Sequence, residues 1–575
     1  MRTKLAFPII LGLAFSVGLL AFARQTSHAE TTTVRCVKPS GSDGCYSSIQ
    51  AAINAANSGD IISVGVGTFY EHITVTKNLE IYGRGWTSST IHGGYSQARA
   101  TVYIPWTIDS STIISGFQIT GGGDGHPDNW DNDGGGISMW YASPRIINTW
   151  VYSCTARNGG GVFVRDGSPY FKNVPAWNNR AANRGGGFYI DSAQVEMVGE
   201  LNFLSTNGTI FDNQAEMDGG GIMLGSDVTA TIRFMQVISN SAIYGGGIAV
   251  ENTSNPVRLE GNWIGAHPLF PGTGNYAKIG GDAGGGLYSL QAENLDLRNN
   301  WFYQNSTAGS GGGILINLSK GNVENNWVYG NTASYGHGGG IKVDNGSQDV
   351  RIYHNRIEAN PGGGLAVEDR SSGVVDANVI VSNTTNIGTG TGIYIHSSTV
   401  TITNNIVAGN VNSYSSSTGN GISIFSSHAR VINNTIANNN HGGVYLMDAE
   451  GAKVINNIIA FNVGNGLEAV ATSGSFSYTA DYNDVYNNDN NYYNFSAGTH
   501  DIFVNPLFVG SGDWNPYYHI QPSSPVSVSG SLAYAPPFDI DGQPRFLGGS
   551  VSMGADEIVP VQYDLFLPLV LKNYP

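Results

Sequence analysis

A run of glycines followed by an apolar residue recurs along the chain, and this repeat constrains the fold more than any other feature. Clear copies occur at Gly134–Ile137, Gly159–Val162 and Gly185–Phe188. About thirteen copies are recognisable, mostly at intervals of about 22 to 29 residues, which is a spacing typical of solenoid repeats. A unit of this length cannot bury its apolar side alone, so we expect successive copies to stack and share one continuous core.

Asparagine marks a second fixed point in the repeat. From residue 300 on, each copy contains two asparagines five positions apart, with an apolar residue two positions after the first. The pairs are Asn300 and Asn305, Asn326 and Asn331, Asn355 and Asn360, Asn378 and Asn383, Asn405 and Asn410, Asn434 and Asn439, and Asn457 and Asn462. We expect these side chains to point inward at bends between short strands, where their amides can bond the backbone and the asparagine of the next coil. Surface loops would not keep so constant a spacing.

The composition agrees with many short strands joined by tight turns. Glycine accounts for 79 of 575 residues, and both glycine and asparagine favour turns over helices. The formal net charge is −16, but only 12% of residues are charged and 41% are hydrophobic, which excludes a disordered polyanion. Because an acidic chain with few basic residues is repelled by a phosphate backbone, we expect no binding of nucleic acid.

The glycine turns and asparagine-containing strands resemble those of right-handed parallel β-helix proteins of the pectin-lyase-like superfamily. The resemblance covers about residues 34–556, and the Gly-Gly-Gly-Ile copies also resemble repeats of bacterial surface proteins of the polymorphic outer-membrane type. It implies an all-β fold, a single right-handed parallel β-helix. Apolar residues at helical spacing after Ser47 and Ser48, followed by Gly59, predict a short capping helix near residues 48–57. These motifs are specific for architecture and not for activity.

The two ends of the chain differ from the repeats. Residues 1–29 combine early positive charges, an apolar stretch and small residues, which is typical of a secretory signal cleaved after Ala23 or Ala29. An uncleaved membrane anchor is the alternative. Near the other end, Asp539–Gly542 and Met553–Glu557 resemble the closing segment of secreted bacterial β-helix proteins.

These features predict five regions and an extracellular location. The regions are a signal peptide at 1–29, an N-terminal cap with the first coils at 30–95, β-helix repeats at 96–470, a closing segment at 471–557 and an apolar tail at 558–575. The tail resembles those of exported proteins of filamentous green non-sulfur bacteria, although a final edge strand is an alternative. We therefore expect a bacterial protein that is secreted or held at the cell surface, and a monomer.

Three cysteines are present, and their spacing indicates one disulfide. Cys36 and Cys45 flank a turn-rich stretch, so in an exported protein we expect them to be bonded to each other. Cys154 is left over and is predicted to be a buried thiol. Because the chain has no Cys-x-x-Cys pair, a zinc site is not expected.

One candidate catalytic group follows from the strand register after each glycine run. The first and third residues of these strands should point inward, whereas the second and fourth should point outward. This places Asp344, Glu368 and His396 in one outward column with Lys342 beside them, a set suited to proton abstraction from a uronic acid. The alternative is an ordinary polar face. His337-Gly338 matches only a fragment of the polygalacturonase-like motifs, whose acidic parts are missing.

Two further sites are predicted, one for a cation and one for sugar rings. Four aspartates lie close together in a Gly- and Asn-rich loop, which suits Ca²⁺, although a solvated acidic turn is the alternative. They are Asp124, Asp128, Asp131 and Asp133. Outward aromatic residues recur on three successive coils and predict a carbohydrate-binding strip, unless inserted loops such as that near His267 cover them. They are Trp263, Trp301, Trp327, Tyr303 and Tyr329, and the column turns polar at Arg356 and Glu358.

Two classes of function remain compatible with these residues. The first is a secreted or surface module that binds an extended polysaccharide or cell-surface glycan, or another surface, without catalysis. The second is a polysaccharide-active enzyme, namely a lyase, hydrolase or epimerase that acts on uronic-acid polymers. A rigid spacer is a third, purely structural possibility. No motif requires a cofactor apart from the predicted Ca²⁺.

Overall fold

The computed structural model describes residues 32–95, 99–123, 133–200, 205–267, 273–387, 390–414, 421–510, 518–545 and 549–558. Over these residues the chain forms a parallel β-solenoid in which each coil contributes one strand to each of three long sheets. Named strands pair in parallel with the equivalent strands of the neighbouring coils, as Ile341 does with Ile314 and Leu365. The predicted all-β parallel β-helix is therefore confirmed.

The three long sheets are named here in the order in which a coil passes through them. Sheet 1 contains Ile73–Thr74, Val102–Ile104, Ile137–Trp140, Val162–Arg165, Phe188–Asp191, Ile222–Leu224, Ile248–Thr253, Leu287–Ala292, Ile314–Asn317, Ile341–Asp344, Leu365–Val367, Ile393–His396, Ile422–Phe425, Val444–Met447, Asn465–Val470 and Asn490–Tyr493. Sheet 2 contains Val34–Val37, Ile61–Val64, Glu80–Tyr82, Ile113–Ser115, Arg145–Ile147, Tyr170–Lys172, Gln194–Val198, Thr229–Arg233, Val257–Glu260, Leu295–Arg298, Gly321–Glu324, Val350–Tyr353, Ser372–Asp376, Thr399–Thr403, His428–Ile432, Ala452–Ile455 and Tyr478–Asp481. Sheet 3 contains Gly67–Tyr70, Ser89–His92, Gln118–Thr120, Trp150–Tyr152, Ala176–Trp177, Thr209–Phe211, Gln236–Ile238, Trp263–Gly265, Trp301–Tyr303, Trp327–Tyr329, Arg356–Glu358, Val379–Val381, Ile406–Ala408, Thr435–Ala437, Ile458–Ala460 and Asp484–Tyr486.

Two smaller sheets complete the strands. One consists of Thr155–Ala156, Arg180–Ala181, Gln214–Ala215, Ser241–Ala242, Tyr276–Ala277, Ser306–Thr307 and Thr332–Ala333, and the other of Thr384–Thr385 and Val411–Asn412.

Alternation within the strands builds the core. Ile341 and Val343 are almost fully buried in the main hydrophobic cluster, whereas Lys342 between them belongs to the outer face of sheet 1. The same period of two holds in neighbouring coils because parallel strands keep their register. The glycine runs occur where a coil turns into sheet 1. At Gly340 a Cβ atom would lie 2.6 Å from the Gly364 carbonyl oxygen, so only glycine lets the coils approach this closely.

Asparagines form two continuous ladders through the coils. In the first ladder, Asn326 donates its backbone N–H and its Nδ2 to Asn355 Oδ1, at 2.9 and 3.0 Å, and Nδ2 also donates to the Leu297 carbonyl at 2.8 Å. This pattern runs from Asn262 to Asn483. The second ladder runs from Asn179 to Asn488. The inward asparagines are thus confirmed as ladders that satisfy buried backbone groups.

The N-terminal end of the solenoid is covered as predicted. A helix spans Ile49–Ala55, and the Ser48 hydroxyl accepts a hydrogen bond from the Ala51 N–H at its N-terminus. The Glu71 carboxylate accepts further N–H bonds from Ile49 and Gln50. Cys36 and Cys45 are joined in a disulfide. Cys154 is buried, and burial raises the pKa of its thiol to about 12.

Regular coils continue past the predicted boundary at residue 470. Strands at Tyr478–Asp481, Asp484–Tyr486 and Asn490–Tyr493 form a further coil, although the glycine run that marks the repeat is missing there. This coil is held by Asn483 and Asn488, which extend both ladders. The closing segment after it contains a short 3-10 helix at Pro525–Val528.

The closing segment packs sideways on sheet 3. Tyr518, Ile540 and Ala555 bury apolar surface against Val381 and Ala408. This contact covers the outer face of sheet 3 in the coils that follow Glu358. The predicted signal peptide and most of the apolar tail lie outside the described residues. No helix among the described residues is long and apolar enough to cross a bilayer.

Candidate functional site

The outer face of sheet 1 presents a cluster of ionic side chains around Lys342. The Lys342 Nζ lies 2.8 Å from Asp282 Oδ1, 2.9 Å from Asp344 Oδ2 and 2.8 Å from Glu368 Oε2. His337 Nδ1 lies 2.7 Å from the other oxygen of Glu368. Lys342, Asp344 and Glu368 are each less than one-tenth exposed. The structure therefore brings together three of the four predicted catalytic residues in one largely buried network.

Burial and mutual contacts set the protonation of these groups. Burial, together with a hydrogen bond to Asp282, raises the pKa of Asp344 to about 6. Burial would also raise the pKa of Glu368, but His337 and Lys342 outweigh it and hold that pKa below its usual range. The three surrounding carboxylates raise the pKa of the Lys342 ammonium despite its burial. Lys342 is therefore a fixed cation. The hydrogen bond between the Asp282 and Asp344 carboxyl groups lowers the pKa of Asp282 and raises that of Asp344.

His396 follows Glu368 in the register of sheet 1, one coil farther on, but its ring contacts groups outside the Lys342 cluster. Its Nδ1 lies 3.9 Å from Asp369 Oδ1, and its ring is parallel to that of Tyr394 at 6.3 Å. The histidine that contacts Glu368 is His337, which precedes the glycine run and folds back over the strand. Asp282 comes from a coil two repeats earlier, where it follows an inserted loop. Strand register could not indicate either residue because both lie in turns.

A cleft of about 830 Å³ opens on the same face of sheet 1, nearer the N-terminus. Its lining includes Arg99, Arg157, Arg165 and Arg184. Aromatic side chains line it as well, namely Tyr103, Trp140, Phe163 and Tyr189. The Arg165 guanidinium lies 5.7 Å from the Trp140 ring centre and 3.6 Å from Asp191 Oδ2. Basic and aromatic groups thus meet in one recess.

Between the cleft and the Lys342 cluster lies a second ionic group. Arg184 contacts Asp218 at 2.8 Å and Glu251 at 3.5 Å. Burial, with some contribution from Asp218, raises the pKa of Glu251 to about 7. Asp191, Asp218 and Glu251 are therefore paired with arginines, whereas Asp344 and Glu368 on the same face contact Lys342.

The predicted Ca²⁺ loop is described only at its end. Asp124, Asp128 and Asp131 lie outside the described residues. Asp133 is buried, its Oδ1 accepts hydrogen bonds from the Asn158 backbone and side chain at 3.1 and 3.0 Å, and burial raises its pKa. The cation site stays a prediction.

A different group in the described part of the chain brings three possible metal-binding side chains together. His519, Asp541 and Asp556 each offer one ligand atom within 4.8 Å of the others. His519 Nε2 lies 2.7 Å from Asp541 Oδ2, which is a hydrogen-bond distance. The Nε2 atom is thus hydrogen-bonded, whereas the buried Nδ1 atom of His519 has no hydrogen-bond partner among the described residues.

The predicted aromatic residues occupy two neighbouring register columns of sheet 3, one of tryptophans and one of tyrosines. Trp263 pairs with Trp301, Trp301 with Trp327, and Trp327 with Arg356. The Trp263 and Trp301 rings are 6.1 Å apart with planes at 20°. Tyr303 and Tyr329 stack at 5.1 Å in the parallel column. His267 packs against the Trp263 ring at 5.0 Å, so the described beginning of the inserted loop lies against this first indole, and binding of sugar here stays a prediction.

Comparison with known proteins gives the architecture. The family described as right handed beta helix region matches residues 273–413. No curated protein matches the sequence.

Similar solved structures include a mutant of the periplasmic alginate epimerase AlgG, at 14% identity over 70% of this chain and 77% of that chain, with a TM-score of 0.29. The Azotobacter vinelandii mannuronan C-5 epimerase AlgE6 A-module is 11% identical over 80% and 94%, with a TM-score of 0.24. Pectate lyase Pel9A is 12% identical over 93% and 98%, with a TM-score of 0.20. Likeness at this level carries no information about activity. The family match over residues 273–413 and the parallel coiled topology together show that the chain folds as a right-handed parallel β-helix.

Proposed function

We propose that the protein acts outside the cytoplasm by binding an extended acidic polysaccharide in the cleft on sheet 1, without changing it chemically. The observation that carries this proposal is the concentration of arginine in the cleft. The whole chain has only 27 Lys and Arg residues and a net charge of −16, yet four arginines line this one recess. The lining also holds two carboxylates, Asp133 and Asp191, so the arginines outnumber the acidic groups that face the recess, and this balance favours an anionic ligand.

The side chains of the cleft suit a chain of sugar acids. A guanidinium group binds a carboxylate through two parallel hydrogen bonds, which a lysine cannot do. Arg165 is about half exposed, so its donors can reach a ligand. Tyr103 is 39% exposed and offers an aromatic surface to the apolar face of a sugar ring. Sheet 1 contains 16 strands, so its face gives an extended polymer room to continue beyond the cleft.

The Lys342 cluster supports binding over catalysis. A catalytic base must be free to take a proton at the working pH. Lys342 is held as a cation by three carboxylates, and Glu368 is bonded on both oxygens. This network is internally satisfied, as expected of a structural ionic cluster. The disulfide supports a location in an oxidising compartment.

The test is binding of polygalacturonate and alginate oligomers, measured by calorimetry at low and moderate salt. Arg165→Ala should weaken binding at least tenfold relative to the wild type. Arg165→Lys should have an affinity between those of the wild type and Arg165→Ala. Arg351, which is exposed on sheet 2, provides the control because Arg351→Ala should not change affinity. Equal affinity in the wild type and Arg165→Ala, or no binding of any acidic oligomer, would refute the proposal.

An enzyme that acts on uronic-acid polymers is the second candidate. It is favoured by the hydrogen-bonded pair of Asp282 and Asp344. The pKa of Asp344 is about 6, and a carboxyl group with such a pKa can act as acid or base near neutral pH. A lyase would produce unsaturated uronates, which absorb ultraviolet light. If absorbance rises with the wild type and not with Asp344→Asn, the protein is an enzyme and the non-catalytic proposal is wrong.

A further inference from the structure

A second groove lies on sheet 3, along the turn that joins sheet 2 to sheet 3. Two adjoining recesses of about 370 and 330 Å³ both have His354 in their walls. The first also contains Trp301, Trp327 and Arg356. The second ends against Phe538 of the closing segment. Together they form one groove that crosses several coils and belongs to neither the Lys342 cluster nor the cleft on sheet 1.

Polar side chains line the floor of this groove at one position in each of three successive coils. Asn299, Asn325 and His354 occupy equivalent turn positions, have positive φ angles of 56°, 53° and 56°, and are exposed. The row stops after His354, because Ala377 takes the position in the next coil and Asn404 beyond it is 2% exposed, with its amide bonded to Asp376 and Arg545. Because the coils are stacked, these amide and imidazole groups are repeated at about 4.8 Å, the spacing of paired strands.

Indole rings form the side of the groove. Trp327 is 38% exposed, and the Arg356 guanidinium lies 5.9 Å from its ring centre. Successive indoles such as Trp263 and Trp301 have centres 6.1 Å apart, which exceeds the contact distance of about 3.5–4.0 Å between overlapping atoms. These two indoles are therefore not in close face-to-face contact with each other. Phe538, which is 55% exposed, adds a further apolar surface at the end.

The charged groups near the groove are already neutralised or hydrogen-bonded. Arg356 Nε donates to Glu358 at 2.6 Å. Asp376 accepts hydrogen bonds from Thr403 at 2.6 Å and from Asn404 at 3.0 Å. Because the described guanidinium beside it, that of Arg356, is paired with Glu358, and the carboxylates of Asp376 and Asp539 lie in its wall, the groove is not suited to an acidic ligand. Amide and imidazole groups beside aromatic rings match the hydroxyl groups and apolar faces of uncharged sugars.

We propose that this groove binds an uncharged polysaccharide chain, with one sugar unit contacting each coil. The proposal is independent of the acidic-polysaccharide cleft, because the two surfaces lie on different sheets and differ in charge. The protein would then have two glycan sites, one for an acidic polymer and one for a neutral polymer.

The experiment measures binding of hexasaccharides of β-1,4-linked glucose and of β-1,4-linked mannose to the full chain, with galacturonate hexasaccharide as the charged comparison. At least one neutral hexasaccharide should bind, and shortening it to a disaccharide should weaken binding at least tenfold because fewer coils are contacted. Trp327→Ala should also weaken it at least tenfold. Trp106→Ala is the matched control, since this 75% exposed indole lies outside the groove.

Two milder variants keep the proposal testable if loss of an indole unfolds the protein. Asn325→Gly and His354→Gly remove floor side chains, and glycine tolerates their positive φ without strain. Each should weaken binding about three- to tenfold with little change in melting temperature. Failure of both neutral hexasaccharides to bind, or unchanged affinity in all three groove variants, would overturn the proposal. The proposal would also be overturned if the hexasaccharides bound only to a variant truncated after Ile558, because residues 559–575 would then be what occupies the groove in the full chain.

Discussion

Asn404 Oδ1 accepts a 2.9 Å hydrogen bond from Nη2 of Arg545, a residue 141 positions later in the chain. Arg545 has a fully buried side chain, and the same nitrogen donates to the Gly554 and Ala555 carbonyls at 2.9 and 2.7 Å. Its Nη1 lies 3.4 Å from Glu557 Oε2. Arg545, at the end of the stretch 518–545, therefore links the solenoid to residues 549–558 of the closing segment.

Arg545→Leu should release the closing segment. The substitution leaves Glu557 without its cation and several carbonyls without donors, at a cost of about 3–5 kcal/mol. We expect faster hydrogen exchange in residues 518–545, whereas exchange in the coils around Ile222–Leu224 stays slow. Arg351→Leu, on the exposed face of sheet 2, is the control. Unchanged exchange in the closing segment would show that apolar packing alone holds it.

Asn405→Ala should destabilise the whole solenoid. Asn405 Oδ1 accepts from the Asn378 backbone N–H and Nδ2, and its own Nδ2 donates to the Val375 carbonyl at 2.8 Å. Leaving these buried groups unpaired should cost about 1–3 kcal/mol, measured by urea unfolding. The control is Asn322→Ala on the outer face of sheet 2, which should change stability by less than about 0.5 kcal/mol. Equal stability of the two variants would contradict the ladder's energetic role.

The repeat predicted the fold because the backbone geometry of each coil determines which residues can occupy its repeated positions. Glycine appears where the coils approach too closely for a Cβ, as at Gly340, and the paired asparagines appear at bends whose backbone groups they satisfy. The second ladder nevertheless begins earlier than the pairs indicate. Asn179, Asn213, Asn240 and Asn275 belong to it, but inserted loops vary their spacing and none of them has an asparagine five residues earlier.

The candidate sites were predicted less completely than the fold. Strand register correctly placed Lys342 and Asp344 on the outer face and the indoles in one column. It could not place Asp282 and His337, which reach the cluster from turns, or Arg157 and Arg184, which flank glycine runs outside the strands. Side chains in turns depend on how each loop folds back, and a periodic pattern carries no information about that.

The pH dependence of stability should include a large contribution from Asp484. This carboxyl group is fully buried, and its Oδ1 accepts from the Val504 N–H at 3.0 Å. Burial raises its pKa to about 7, above the unfolded value of about 3.9. The resulting stabilisation is fully present below about pH 4 and is lost as the pH rises through about 7, because the folded state must then bury a charge.

Asp484→Asn should remove this loss, because the amide oxygen can still accept from Val504 and no charge can form. At pH 8 the variant should be more stable than the wild type by an amount on the order of 2–4 kcal/mol, whereas at pH 4 the two should be similar. Urea unfolding at both pH values measures the difference. The exposed Asp349→Asn should show no such gain, and a variant that is less stable than the wild type at pH 8 would mean that the carboxylate is favourably solvated.

The Lys342 cluster allows its structural and catalytic roles to be separated. Lys342→Met removes the cation that contacts Asp282, Asp344 and Glu368, so three close carboxylates are left to repel one another. At pH 8 we expect a loss of about 3–5 kcal/mol in the free energy of unfolding. At pH 5 the loss should be smaller, because the pKa values of the carboxyl groups rise without Lys342 and some of the groups become protonated.

Adding Asp344→Asn to Lys342→Met should recover part of the lost stability at pH 8, since one of the repelling charges is then absent. Asp344→Asn alone should instead weaken the network, because Lys342 then loses one of its three anionic partners. Urea unfolding of the two single variants and the double variant measures this coupling. A cluster that exists for catalysis gives a different result, in which Lys342→Met folds as stably as the wild type while activity on a polyuronate disappears. That result would assign Lys342 to the enzyme alternative and remove the principal argument for a purely structural cluster.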